Sequence, residues 1–583
     1  MAEIMRRLLS ISLFLTLALL SFAESRTEIP FPMSQLGKDV LFGSRIVSVN
    51  KASGKVYADG MMKEQPVLVR FSQQNDTCVC MKQVGYSTPN GCSWKTRMSK
   101  EPPASFRIVR STEDAVVLDV TDYFSSYPEL VSAIPPKELG RQAVSYRIDH
   151  IENNKDYLRI VASYSYETGL NVCAACFLMY LNENPMPSRT VIGSNGVEYR
   201  GADGKRMNIS YRWNVRQGSR IDFYVDRKFP EEWFPFIKEG IEDWNKAFDA
   251  IGIHNLLSVQ PEPESFDSSS PMVNMVRYID VDEANAKGQV YVDPRSGEIL
   301  QADILWWKDV IGLMKGWRYV QTGAADPRAR LADYPIEILG PMIRHAVCHE
   351  AGHVLGLNHN MGASYAYPSD SLKSVSFTEK YGTSASVMDY ARYNHIADTD
   401  DVRAGVNLLP PRVGPYDMYA IASIYAETPA EPGKYCFYSP FISAAISPDP
   451  SSQAETLGDD LLASSAAGIA NCSALLELDG LSEERLKLLK KQYYRYVFLT
   501  LSNIGGAVHG TPVPEKIQAK TLKFIFESLQ DTPAELSDEA EKKAILKELT
   551  GNFLPERIKK TKGEKALKRY IGKVERYHRK YNI

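Results

Sequence analysis

The feature that most limits how this 583-residue chain can fold lies between residues 345 and 360. There the sequence runs His-Ala-Val-Cys-His-Glu-Ala-Gly-His-Val-Leu-Gly-Leu-Asn-His-Asn and holds four of the nine histidines. Inside it stands His349-Glu350-x-x-His353-x-x-Gly356-x-x-His359. On an α-helix, residues four apart are displaced about 6 Å along the axis and about 40° around it, so His349 and His353 share a face. Two imidazoles placed this way can bind one Zn²⁺ at about 2.0–2.1 Å each. Glu350 sits about 100° round from His349, close enough to act on a water at the metal without ligating the ion. Gly356 accepts the left-handed backbone that ends a helix and turns the chain. The turn brings His359 back toward the other two, giving three nitrogen ligands and one open position. At this chain's composition the five-residue core arises by chance in about 1–2% of such sequences, and the extended pattern in about one in 10⁵.

His345 lies one turn before His349 on the same face and makes a rival pair with it. The three helical histidines span about 12 Å of axis, too far for a single ion. Only the 349/353 pair has a glutamate after its first member and a Gly-turn-His after its second, so His345 is assigned to support or packing. Cys348 points off the metal face, where a buried thiol is the default.

Elsewhere the chain reads as a multidomain α+β protein. Arg6 and Arg7 precede an apolar run, Leu8–Leu20, and small residues near Ala23, which together form a secretory signal over residues 1–23. This implies export to the periplasm, the cell envelope or the medium. No later segment reaches the length of a membrane span. Residues 24–215 alternate in short stretches such as Val67–Phe71, Val116–Val120 and Tyr157–Tyr166, the pattern of a β-rich N-terminal domain. From 216 to 427 strands surround a helix that starts at Pro230 and carries Trp233, Phe236, Ile237, Ile241, Trp244 and Phe248. An α/β layer domain with a mixed sheet follows from that pattern. Five prolines between about Thr428 and Leu457 read as a linker, and the rest, to 583, as a helical C-terminal region. A net charge of −3 gives no global field for nucleic acid. The last helix is basic, with eleven Lys or Arg against two Glu between Arg557 and Lys580. A solvated face is the expected role for it.

Other elements of possible chemistry each have a plain alternative. Cys78-x-Cys80 with Cys173-x-x-Cys176 could form a four-thiolate zinc site, but the spacing favours a disulfide pair or buried thiols. Asn75, Asn208 and Asn471 head N-x-[ST] sequons. The acidic run Asp398, Asp400 and Asp401 is read as a solvated loop, with Ca²⁺ binding the alternative.

The run from His349 to His359 resembles the zinc signature of the metzincin clan. A second element agrees: Ser386-Val387-Met388-Asp389-Tyr390 resembles the Met-turn that underlies the metal in that clan. The resemblance implies Met388 as the structural methionine, and Tyr390 as a tyrosine able to approach the zinc. Stretches such as Tyr224-Val225-Asp226-Arg227, Trp244-Asn245-Lys246-Ala247-Phe248, Asp293-Pro294-Arg295-Ser296-Gly297 and Leu457-Gly458-Asp459-Asp460 are similar to secreted bacterial zinc-dependent metalloproteases. In that group a metzincin-like domain follows a β-rich N-terminal domain of uncharacterised role. The implied function is a zinc-dependent endopeptidase acting on protein or peptide, with Glu350 as general base and Tyr390 as helper. Ile299–Trp306 is the strand expected, by resemblance, to offer its free edge to substrate. The competing class is a catalytically idle, zinc-containing binding or scaffold protein of the cell envelope.

Overall fold

The computed structural model describes residues 26–50, 57–62, 66–87, 93–94, 103–126, 134, 145–167, 169–200, 206–428, 430–440, 446–478 and 481–583. The secretory-signal residues lie outside this set, as does Cys92. The chain divides into two compact units. One is formed by residues 1–87 with 95–185, the other by residues 88–94 with 186–583.

The N-terminal unit is a nine-stranded antiparallel sheet. Its strands are β1 (Glu28–Pro32), β2 (Asp39–Val49), β3 (Val67–Asn75), β4 (Cys78–Gln83), β5 (Ala104–Ser111), β6 (Ala115–Asp119), β7 (Ser145–Asn153), β8 (Tyr157–Ser165) and β9 (Asn171–Tyr180). They are ordered β1-β6-β5-β4-β3-β2-β9-β8-β7. Alternate residues such as Val40 and Phe42, Val69 and Phe71, and Leu158, Ile160 and Ala162 point into one apolar core, because side chains in a strand repeat every two residues. Ile29 on β1 and Ile160 on β8 share that core although their strands lie far apart in the order, so the sheet curls around it. Register shifts at Val161/Ala162 and Cys173/Ala174 supply local bends of the kind such curling needs. Cys78, Cys80 and Cys173 are free thiols, and the only group of His, Cys, Asp and Glu side chains placed to hold a metal among the described residues is elsewhere.

In the second unit, β10 (Ile221–Val225), β11 (Leu257–Pro261), β12 (Asn274–Ile279), β13 (Ala286–Asp293) and β14 (Glu298–Trp307) form a mixed sheet ordered β11-β10-β12-β14-β13. Only β13 is antiparallel, joined to β14 through the Asp293–Gly297 turn. Hence β14 is flanked on both sides, and the edge strands are β11 and, beside β14, β13. This corrects the expectation that Ile299–Trp306 carries the free edge: its own hairpin partner covers it.

Helix α1 (Phe234–Glu242) stops earlier than the apolar stripe predicts, and a one-turn helix follows at Asn245–Asp249. The break lets the buried Trp244 donate its indole N–H to the carbonyl of Cys348 at 2.9 Å. That carbonyl belongs to α3 (Ile336–Val354), which comes after α2 (Val310–Thr322). Gly240 lets α1 lie close on α3, since a Cβ there would stand 2.7 Å from the Arg344 carbonyl oxygen.

Beyond α4 (Thr399–Ala404) and α5 (Pro415–Tyr425) come six further helices. They are α6 (Leu461–Leu476), α7 (Glu483–Thr500), α8 (Glu515–Gln530), α9 (Glu539–Thr550), α10 (Phe553–Lys562) and α11 (Glu564–Tyr581). Their core joins Tyr493, Tyr496, Phe526, Leu549 and Val574 to Tyr319 and Val320 of α2. Asn471, one of the sequon residues, is buried here and donates to the Val320 carbonyl, so its amide is committed to packing. The proline-rich stretch expected as a linker is packed where it is described. Ser439 N–H donates to Asn360, Glu455 N–H to the Tyr390 carbonyl and Leu457 N–H to Ser464. Among the described residues no helix is long and apolar enough to cross a membrane.

Candidate metal centre

Helix α3 carries His349, Glu350 and His353, and its end is built to release the chain at one place. The Leu357 N–H bonds to the Gly352 carbonyl and the Gly356 N–H to the His353 carbonyl, a Schellman closure. Gly356 has φ +96°, and a Cβ there would lie 2.1 Å from the Tyr211 carbonyl oxygen. Glycine is therefore required both by backbone conformation and by space. Tyr425 Oη donates to the freed Leu355 carbonyl and Trp213 Nε1 to that of Val354, each at 2.8 Å.

After this turn His359 comes back to the helix. One nitrogen from each of His349, His353 and His359 lies within 4.8 Å of the others, and the Nε2 atoms of His353 and His359 are 3.1 Å apart. The rings are oriented from behind. His349 Nδ1 lies 2.7 Å from the Val387 carbonyl oxygen and His353 Nδ1 lies 3.0 Å from that of Leu357. A carbonyl can only accept, so both Nδ1 atoms carry the proton and both Nε2 lone pairs face the common point. His349 Nε2 is buried and has no hydrogen-bond partner. Burial, followed by the neighbouring imidazoles, pushes His349 well below the usual histidine range and His359 down to about 3, which keeps both rings neutral. Three convergent imidazoles, one with an orphaned lone pair, are the donor set that zinc takes.

The Met-turn lies beneath. Met388 is fully buried, and a Cβ on Gly352 would meet its sulfur at 2.3 Å and Trp244 at 2.8 Å, so helix and turn touch through a glycine. The turn is tied down by Asp417 of α5. Its carboxylate accepts from Ser386 Oγ at 2.5 Å, and from the backbone N–H groups of Val387 and Gly414 at 2.8 Å each. Burial raises the Asp417 carboxyl to about 7 against the pull of those donors. The Tyr390 ring centre is 4.5 Å from that of His359 and 5.4 Å from that of His349.

Glu350 is buried beside the cluster but outside it. Its Oε2 accepts the N–H of Gly288, on edge strand β13, at 2.7 Å. Burial pushes its carboxyl up, opposed by His353 and the Gly288 N–H. A Cβ on Gly288 would stand 2.8 Å from the Glu350 carbonyl oxygen, so the strand approaches the helix as closely as it does because that residue has no side chain.

The remaining expectations fall as follows. His345 is outside the cluster and its Nδ1 bonds to the Pro411 carbonyl at 2.8 Å, a packing contact. Cys348 is buried in the helix interface. Asp398 caps α4, accepting from the N–H groups of Asp400 and Asp401, and Lys373 neutralises Asp398 and Asp401 at 2.8 and 3.2 Å. The acidic run is thus a helix cap rather than a cation site. Sequence reading missed Gly288, Asp417, Trp213 and Tyr425. Gly288 carried a usable signal, because a glycine inside a strand marks close backbone approach. The others are joined to the site only by the fold.

A family model described as Met-zincin matches residues 332–578, from just ahead of α3 into α11. No curated protein and no solved structure matches the chain. Residues 332–578 are thus similar to a Met-zincin domain, the zinc-metalloprotease class to which the histidine spacing pointed.

Proposed function

We propose that the chain is a secreted zinc-dependent endopeptidase with Glu350 as its general base. The observation that carries this reading is the pairing of Glu350 with Gly288. A carboxylate that ligates nothing is held by one oxygen beside three convergent imidazoles. A purely structural zinc site has no use for such a group. Bound zinc would be held by His349, His353 and His359 and supplies Lewis-acid chemistry, polarising the scissile carbonyl and acidifying a water. Glu350 takes the proton of the attacking water and delivers it to the departing amine. Tyr390, half-buried against His359, donates a hydrogen bond to the oxygen that becomes negative as the carbonyl turns tetrahedral. The outer edge of β13, next to Glu350, pairs with an extended stretch of substrate. Export is supported by Arg6, Arg7 and the Leu8–Leu20 run.

Metal analysis and proteome-wide cleavage profiling of the mature protein beside its Glu350→Ala form test the reading. The variant is expected to keep one zinc and lose cleavage by about 10²–10⁴-fold. Identical profiles would assign the proteolysis to another protein. A zinc-loaded wild type that cleaves no unfolded protein would leave the idle scaffold as the answer.

A further inference from the structure

A cavity of about 230 Å³ opens against the metal centre, lined by His349, Glu350 and Tyr390 together with Trp317, Met314 and Arg392. A liquid water takes about 30 Å³, so the space admits a side chain of several heavy atoms. Arg392 is the unusual member. Its backbone is left-handed, with φ +63°, a conformation that a residue with a Cβ adopts only when its surroundings hold it there. The guanidinium is sandwiched, its carbon 3.5 Å from the ring centre of Trp317 and 4.4 Å from that of Tyr390. Its Nε is sealed from solvent without a hydrogen-bond partner.

The fully buried arginines of this unit are neutralised, and Arg212 and Arg557, half-buried like Arg392, donate to backbone carbonyls. Arg277 faces Asp303 at 3.0 Å, Arg295 faces Asp293 at 2.7 Å and Arg318 faces Asp326 at 3.1 Å. Arg392 has no such partner. Of the acids around it, Glu350 is engaged with Gly288, Asp389 with Ser364 and Ser384, and Glu455 with Gln492 and Arg495. A half-buried cation with no carboxylate paired to it is under-compensated, and a planar guanidinium held between two rings presents its edge to a planar anion. Bidentate pairing with a carboxylate is the interaction that such an edge makes best.

We propose that Arg392 makes this cavity a receptor for a substrate carboxylate, directing cleavage to bonds beside an acidic side chain or a free C-terminus. The inference rests on the peptidase reading above and deepens it. Arg392 acts as a specificity residue, outside the proton transfers.

The test uses zinc-loaded mature protein and a set of acetylated, amidated peptides in which Glu, Asp, Gln or Asn is scanned through the positions flanking one bond. A parallel set ends in a free carboxylate. The expected result is a preference of roughly tenfold to a hundredfold in kcat/KM for Glu or Asp over the matching amide at one position, or for free acid over amidated terminus. The first outcome identifies a side-chain receptor, the second a terminus receptor. Arg392→Gln should erase the preference, and Arg392→Lys should keep part of it. Zinc content shows that each variant retains its centre, and the Lys form serves if the Gln form does not fold. A second readout needs no turnover: calorimetric titration of Glu350→Ala protein with the Glu and Gln peptides, with and without Arg392→Gln. The same discrimination is expected, present with Arg392 and lost without it. A wild type that cleaves with no carboxylate preference overturns the inference, and so does an Arg392→Gln form slowed equally on every peptide. If nothing is cleaved the peptidase reading fails, and the titration alone decides whether the cavity takes a carboxylate.

Discussion

Among the described residues of the N-terminal unit, the buried polar or charged side chains are Arg45 and Arg159, set in a core of valine, leucine, isoleucine and aromatic rings. The second unit buries Asp303, Asp326, Asn360, Asp389, Asn394, His395 and Asp417, besides His349 and Glu350. Each interior must still meet the rule that a buried polar group without a partner is costly. The first unit meets it largely by exclusion. The second meets it with networks, such as Asn360 joining Phe437, Gly362 and Ser439, or Asp417 joining Ser386, Val387 and Gly414. An apolar interior tolerates many substitutions of similar volume. A networked one fixes particular atoms, and those around Asp417 hold the ligand cluster in place.

The sharpest way to break this contrast is to remove a ligand. His353→Ala is expected to take zinc content from one per chain to none and to abolish cleavage. It should also lower the unfolding free energy of the second unit by about 4 kcal/mol where free zinc exceeds its dissociation constant a thousandfold. Inductively coupled plasma analysis and calorimetry measure both, and a variant that keeps its zinc would refute the assignment of the site. In the N-terminal core, Leu158→Ala deletes a fully buried side chain and should cost about 2–5 kcal/mol. Zinc content should stay unchanged, and parallel loss of zinc would show that the two interiors are not separate in energy.

Asp417 sharpens the comparison through pH. Its folded pKa, about 7, lies above the ordinary carboxyl value of 3.8. The folded state therefore binds the extra proton, and this contribution to stability is full below pH 3.8 and lost as pH rises through about 7. Asp417→Asn should remove a slope of about 1.4 kcal/mol per pH unit within that window. Denaturation of both forms at pH 5, 6 and 7 reads it, and parallel curves would mean that the carboxylate stays ionised. The smallest effect is expected at the α4 cap. Asp398→Ala should cost about 1 kcal/mol, with no response to added calcium in either form. A calcium-dependent melting temperature in the wild type would restore the cation site.

What could be read from the sequence and what could not divide by distance along the chain. His349, His353 and His359 were legible because a helix and one glycine turn relate them within eleven residues. Part of the sheets was legible, as at Val116–Val120, Tyr157–Tyr166 and Met275–Ile279, while Asp39–Val49 and Ser145–Asn153 went unread; the helical C-terminal region showed in its three- and four-residue spacing. The edge strand was misread because it was assigned by resemblance, and only pairing order tells which of Ala286–Asp293 and Glu298–Trp307 lies outside. The stretch after Thr428 looked like a linker because proline and serine mark exposed chain. Its backbone is instead taken up by Asn360, Tyr390 and Ser464. Asp417 and Arg392 carry no local signature, since their meaning comes from Val387, Trp317 and Tyr390, which folding brings to them.

The peptide group between Ser386 and Val387, with the Val387 carbonyl behind it, has a consequence for how the three imidazoles would release an ion. The Val387 N–H donates to Asp417, which fixes the residue, and its carbonyl accepts the Nδ1–H of His349 alone. The Leu357 carbonyl behind His353 also accepts from the Asn195 amide and has less to give. Of these two, His349 therefore has the less divided support, and under a competing chelator it would outlast His353 as a ligand.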